Sequence, residues 1–171
     1  KFTWDEKFPD HDTAYAALEH MITVYFDGGH AWPVLPLDES ETCPEGKYRI
    51  LGVELSFALP FGVHTKNGSI DLVLSDHLGW IIGDDQKTSG RKWATGKDSP
   101  RKQNQSNFYT DALMELFPGR PGYRFVFDIM TYKGDFERRV TDPTPESIQA
   151  TRDKAIQVVT LYEGMRSGGM D

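Results

Sequence analysis

Between residues 10 and 26 the apolar side chains Ala14, Ala17, Leu18, Met21, Ile22 and Tyr25 recur three and four apart. That spacing predicts an amphipathic helix, which Gly28 and Gly29 then stop. Residues 30–47 carry Pro33, Pro36, Pro44 and several acids, so they read as a loop. From 48 to 61 the pattern changes to a strand, with Ile50, Leu51, Val53, Leu55, Phe57 and Leu59. Residues 69–75 and 80–87 predict two more strands, joined by the short turn Asp76-His77-Leu78-Gly79. A basic stretch punctuated by Gly90, Gly96 and Pro100 leads into a helix over 103–117, which Pro118 and Gly119 end. Residues 123–132 and 136–140 predict a hairpin around Lys133-Gly134-Asp135. A last helix runs to about Met165, capped by Thr144 or Asp142, with Pro145 and Glu146 in its first turn. The order α-βββ-α-ββ-α predicts an α/β (α+β) fold, a mixed central β-sheet flanked by helices.

At 171 residues the chain fits one domain with a sizeable core, and 38% hydrophobic with 26% charged residues is ordinary for a globular protein. No apolar run approaches the ~20 residues that span a bilayer, so no membrane partner is expected. The first ten residues are charged and aromatic and have no signal-peptide stretch, which points to an intracellular protein. The lone Cys43 excludes an intramolecular disulfide, a Cys-only zinc site and a four-cysteine iron–sulfur cluster. No nucleophile elbow, Walker loop or dinucleotide fingerprint is present.

The net charge of −7 argues at first against a nucleic-acid partner. The charges are uneven, however. Residues 87–102 hold Lys87, Arg91, Lys92, Lys97, Arg101 and Lys102 against only Asp98, enough to meet a phosphate backbone. A solvated lysine-rich loop has the same composition. Trp93 lies among these cations and is the tryptophan best placed to stack on a base. The histidines His11, His30, His64 and His77 show no ligand spacing and read as exposed loop residues.

Asp71 sits within Ile70-Asp71-Leu72-Val73-Leu74, where every neighbour favours burial. A carboxylate there needs a partner or a cation, because desolvating it alone is costly. On the next strand Asp85 and Lys87 project to one face, and Asp84 and Gln86 to the other. A five-residue turn sets Asp71 opposite Asp85, and a four-residue turn sets it opposite Asp84; the sequence leaves both open. Directly paired side chains have Cβ atoms ~4.5–5.5 Å apart, a span suited to two carboxylates around one hard cation. Two such acids with an adjacent lysine match the needs of phosphodiester hydrolysis: Lewis-acid activation of water and relief of charge on the phosphate. An ordinary cross-strand ion pair between Asp71 and Lys87 would use the same residues. Glu54 is a further acid in an apolar strand, and Gln105 and Tyr109 share a helix face at i, i+4.

Together, Val53-Glu54-Leu55-Ser56-Phe57, Gly68-Ser69-Ile70-Asp71-Leu72-Val73, Asp85-Gln86-Lys87-Thr88-Ser89 and Gln105-Ser106-Asn107-Phe108-Tyr109 resemble the PD-(D/E)XK nuclease superfamily. The likeness is to its RecB-like, phage-type exonuclease branch. It implies a restriction-endonuclease-like sheet and an Mg²⁺- or Mn²⁺-dependent deoxyribonuclease acting on DNA ends or single strands. Asp71, Asp85, the backbone carbonyl of Gln86 and Glu54 would hold the metal, Lys87 would assist catalysis, and Gln105 and Tyr109 would contact DNA. It also implies a cytoplasmic setting in a prokaryotic or phage-infected host cell. Tyr15 stands where many relatives carry a metal-binding histidine on the first helix, and the cysteines of an iron–sulfur cluster are absent, so no cluster is expected. The start reads as cropped, or as part of a larger parent protein or of an assembly with a partner subunit. Two other readings share these residues: a non-catalytic DNA-binding or structural module that kept the fold, and a restriction-type endonuclease.

Overall fold

The computed structural model describes residues 11–35, 43–89 and 100–168. Arg91, Lys92, Trp93 and Lys97 lie outside the described residues, and Arg101 and Lys102 are described only as backbone in the first turn of a helix. Helix α1 (His11–Asp27) precedes strands β1 (Arg49–Phe61), β2 (His64–Ser75) and β3 (Ile81–Ser89). Helix α2 (Pro100–Leu116), strands β4 (Tyr123–Thr131) and β5 (Phe136–Thr141), and helix α3 (Pro145–Gly168) follow. The predicted element order is therefore the observed one.

The strands form one five-stranded sheet in the order β1-β2-β3-β4-β5. Neighbours are antiparallel except β3 and β4, which run parallel and are joined by α2 as the crossover. The mixed sheet with flanking helices is the predicted fold class. Strand β2 starts five residues earlier than the hydrophobic pattern indicates, since Phe61 already pairs with His64 across a two-residue turn. Gly62 takes φ +61° there, a backbone conformation glycine adopts without strain. The pattern misses this start because Lys66 faces inward. Its buried ammonium meets Asp111 at 2.6 Å and Glu115 at 2.7 Å on α2, so a charged residue holds a core position.

One face of the sheet packs Phe57, Ile70, Val73, Ile81, Phe125, Phe127 and Ile129 against Ala112 and Leu113 of α2. Burying a Leu, Ile or Phe side chain is worth about 1.5–3 kcal/mol, so this layer is the main stabilising element. A Cβ on Gly83 would stand 2.9 Å from Leu113 and Phe125, so the glycine lets α2 lie close over β3. The opposite face packs Leu74, Ile82 and Val126 with Trp32, Tyr48, Ile50 and Leu72. Helix α1 contacts β4 through its Met21–Tyr25 side, while Leu18 and Ile22 are 48% and 49% exposed. The predicted apolar face of α1 is thus wider than the face the sheet covers. Thr144, not Asp142, caps α3: its Oγ1 accepts from Ser147 N at 3.2 Å, and Asp142 instead pairs with Arg124. Among the described residues no helix is long and apolar enough to cross a membrane.

Candidate active site

The turn between β2 and β3 takes five residues, because Ser75 pairs with Ile81. Asp76 Oδ1 accepts hydrogen bonds from Leu78 N and Trp80 N, both at 2.9 Å, which draws Trp80 into the turn. Of the two turn lengths that the sequence leaves open, the structure takes the five-residue one. The ladder runs to the pair Leu72–Asp84, and the same register one step further sets Asp71 opposite Asp85. On the other side Val53 pairs with Leu72 and Leu55 with Ile70, which sets Glu54 opposite Asp71. By this register Glu54, Asp71 and Asp85 fall at neighbouring positions on β1, β2 and β3, although neither pair is itself a ladder pair. Glu54 is exposed and has φ 49°, the left-handed region that non-glycine residues rarely adopt. Such strain is found most often where function keeps it.

Past the last ladder pair, a side chain takes over the role of the backbone. Asp71 Oδ2 accepts the N–H of Gln86 at 2.7 Å. Asp85 lies on the α2 side of β3 in alternation with Ile81 and Gly83, and Lys87 follows on the same side. Lys87 Nζ lies 2.5 Å from Asp85 Oδ2. Lys87 is thus the partner of this buried carboxylate oxygen. Burial raises the Asp85 pKa, the Lys87 hydrogen-bonding contact and charge oppose it, and the Asp71 charge adds to the rise.

Lys87, Gln105 and Tyr109 line a common groove of about 680 Å³ between α2 and α3. Tyr109 also belongs to the core. Its ring stacks on Phe125 with centroids 5.3 Å apart and meets Phe57 edge-on at 6.1 Å. Gly68 makes room for this arrangement, since a Cβ there would sit 2.8 Å from Phe57 and 3.2 Å from Tyr109. The structure thus brings Lys87, Gln105 and Tyr109 to one groove beside the carboxylate row. Tyr15 is 62% exposed on α1.

Among the described residues, no three His, Cys, Asp or Glu side chains converge closely enough to hold a metal ion. The donor chemistry nonetheless suits a hard divalent cation, with carboxylates on three adjacent strands, although Asp71 Oδ2 accepts from Gln86 N and Asp85 Oδ2 is paired with Lys87. Asp71 and Asp85 would turn from Gln86 N and Lys87 to complete such a set.

The far face of β3 holds a second charged cluster that the sequence reading missed. Asp84 accepts from Trp32 Nε1 at 2.8 Å, and its other oxygen is buried without a partner. Burial first, and then the charge of Asp128, push the Asp84 pKa up to about 7. Asp128 is fully buried and takes two hydrogen bonds from Arg138, at 2.7 and 2.6 Å. Arg138 also donates to the His30 carbonyl at 2.7 Å and lies 3.8 Å over the Trp32 ring. His30 stacks on Phe136 at 4.1 Å, so it is a packed residue and not the exposed loop histidine expected. The signal was available: Asp128 lies in Phe125-Val126-Phe127-Asp128-Ile129, the same kind of apolar setting that drew attention to Asp71.

No family model and no curated protein sequence matches the chain. Among solved structures, one from Eubacterium rectale, named as a candidate exonuclease, is similar over 98% of this chain at a TM-score of 0.54 and 12% identity. This chain spans 59% of that protein's length. At that identity the likeness is one of fold. A second solved structure, SSO0001, overlaps 63% of this chain and 50% of its own at a TM-score of 0.40 and 14% identity, which carries no argument.

Proposed function

We propose that this protein is a metal-dependent deoxyribonuclease of the PD-(D/E)XK class, in its RecB-like branch, acting as an exonuclease on DNA ends or single strands. The observation that carries the reading is the row Glu54–Asp71–Asp85, with Lys87 two residues on, on the same face as Asp85. The fold shared with the candidate exonuclease from Eubacterium rectale supports it. Asp71, Asp85, Glu54 and the backbone carbonyl of Gln86 would hold Mg²⁺ or Mn²⁺. A bound divalent cation supplies Lewis-acid relief of charge on the phosphate and a lowered pKa for the attacking water. Lys87, freed from Asp85 once that carboxylate has another partner, would turn its ammonium to the water or to a nonbridging oxygen. Gln105 and Tyr109 would hold the strand beside it. The cations at 91, 92, 97, 101 and 102, with Trp93, would extend the contact along DNA.

The alternative of a non-catalytic DNA-binding module rests on one observation, that Lys87 is occupied by Asp85 at 2.5 Å. Cleavage of labelled linear DNA in Mg²⁺, Mn²⁺ or EDTA, beside Asp85→Ala, separates the two. Degradation that requires metal and vanishes in the variant supports the nuclease. DNA binding with no cleavage in any metal refutes it. Circular DNA left intact beside degraded linear DNA separates an exonuclease from a restriction-type endonuclease.

A further inference from the structure

The groove beside Lys87 has a chemistry that the carboxylate row does not explain. Its volume of about 680 Å³ falls within the range of small-molecule sites. Phe108 from α2 and Ala155 and Val158 from α3 give it apolar walls, although α2 and α3 otherwise meet through polar contacts. Asn107 Nδ2, for example, donates to the Ser147 carbonyl and to Thr151 Oγ1, both at 2.9 Å. Val158 is 58% exposed, so the wall is open to an occupant. Two ammonium groups, Lys87 and Lys154, border the same space in a chain whose net charge is −7. The Gln105 amide also lines it and offers both a donor and an acceptor.

An apolar wall, two cations and a two-way amide suit a nucleotide whose base has left the stack. The base would lie on Phe108 and Val158, its edge would meet Gln105, and the flanking phosphates would meet Lys154 and, once a metal has drawn Asp85 away, Lys87. A base within a blunt duplex is stacked and paired and cannot enter. We infer that this groove receives an unstacked base of single-stranded DNA next to the site, so that the protein selects single-stranded or frayed ends over blunt ones. The inference rests on the nuclease reading for the role of Lys87, but the groove can be tested without turnover.

The experiment is fluorescence anisotropy in EDTA, with a short labelled oligothymidylate and a blunt hairpin duplex as probes. Wild type should prefer the oligothymidylate. Val158→Trp, which fills the groove from a half-exposed position, should reduce that preference roughly 5- to 100-fold, the worth of one stacked base. Lys154→Glu, an exposed change that spares the core, should reduce it as well and lower the salt dependence by about one phosphate contact. A preference unchanged in Lys154→Glu and in a Val158→Trp protein that melts like wild type would overturn the proposal. So would tighter binding of a labelled fatty acid than of the oligothymidylate. If wild type binds through the groove yet cleaves nothing in Mg²⁺ or Mn²⁺, the groove stands and the nuclease reading falls. If wild type cleaves and both variants keep its preference for single strands, the reverse holds.

Discussion

Asp71 on β2 accepts the backbone N–H of Gln86 on β3 at 2.7 Å, just beyond the last ladder pair, Leu72–Asp84. The bond has two consequences. It satisfies a strand N–H where the regular ladder between these strands stops, and it holds a carboxylate next to Asp85. The same acid therefore serves the sheet and the candidate site, so its two roles have to be separated by substitution.

Asp71→Asn does so. An amide oxygen can still accept from Gln86 N, so thermal stability should change by less than about 1 kcal/mol. Metal-dependent cleavage should be lost, because a neutral amide is a poor ligand for a hard cation. A melting curve beside a cleavage assay checks both; a cleaving variant would remove Asp71 from the site.

Lys87→Met removes the ammonium but keeps the length of the side chain. The cleavage rate should fall on the order of 10²–10³-fold, as when one preorganised donor to a developing charge is removed. Single-turnover rates at saturating DNA measure this apart from binding. An unaltered rate would leave Lys87 as the ion-pair partner of Asp85 and nothing more.

A cation bound by the carboxylate row should stabilise the fold. At a hundredfold excess over its dissociation constant the gain is about 2.7 kcal/mol. Wild type should melt several degrees higher in Mg²⁺ or Ca²⁺ than in EDTA, and Asp85→Asn should show no such difference. Equal shifts in both would place cation binding elsewhere.

Asp84 predicts a pH dependence of stability. Its carboxyl is raised from 3.8 to about 7, chiefly by burial, so between those values the folded chain keeps a proton that the unfolded chain releases. The stabilisation is complete below 3.8 and is lost as pH rises through about 7, a change of at most about 4 kcal/mol. Asp84→Asn still accepts from Trp32 and cannot ionise, so it should melt higher than wild type at pH 8 and show a flatter profile. Melting curves in EDTA across this range test it; parallel profiles would contradict it.

Arg138→Ala would leave the buried Asp128 carboxylate without its two strongest hydrogen bonds and uncover Trp32. The expected loss is about 3–5 kcal/mol. Arg138→Lys should recover only part of it, because an ammonium cannot make the paired contact or lie flat on the indole. Chemical denaturation of the three proteins measures the difference.

The amino-acid pattern alone determined the order of elements, because burial on a sheet and on a helix imposes different periods on the chain. It also singled out Asp71, since an acid among Ile70, Leu72 and Val73 is costly without a partner. The alternation of β3 then separated Asp85 and Lys87 from Asp84, a local property of any strand. The tertiary structure decided what depends on contacts between distant residues. The five-residue turn follows from the Asp76 cap and sets Asp71 opposite Asp85, a one-residue choice that strand composition leaves open. The early start of β2 requires Asp111 and Glu115 to neutralise Lys66 from a helix 45 and 49 residues away. The Asp84–Asp128–Arg138 cluster likewise needs β3, β4 and β5 side by side, and no local pattern pairs acids with an arginine on a different strand. Local periodicity fixes which face a side chain takes, whereas register and charge compensation exist only once the strands have paired.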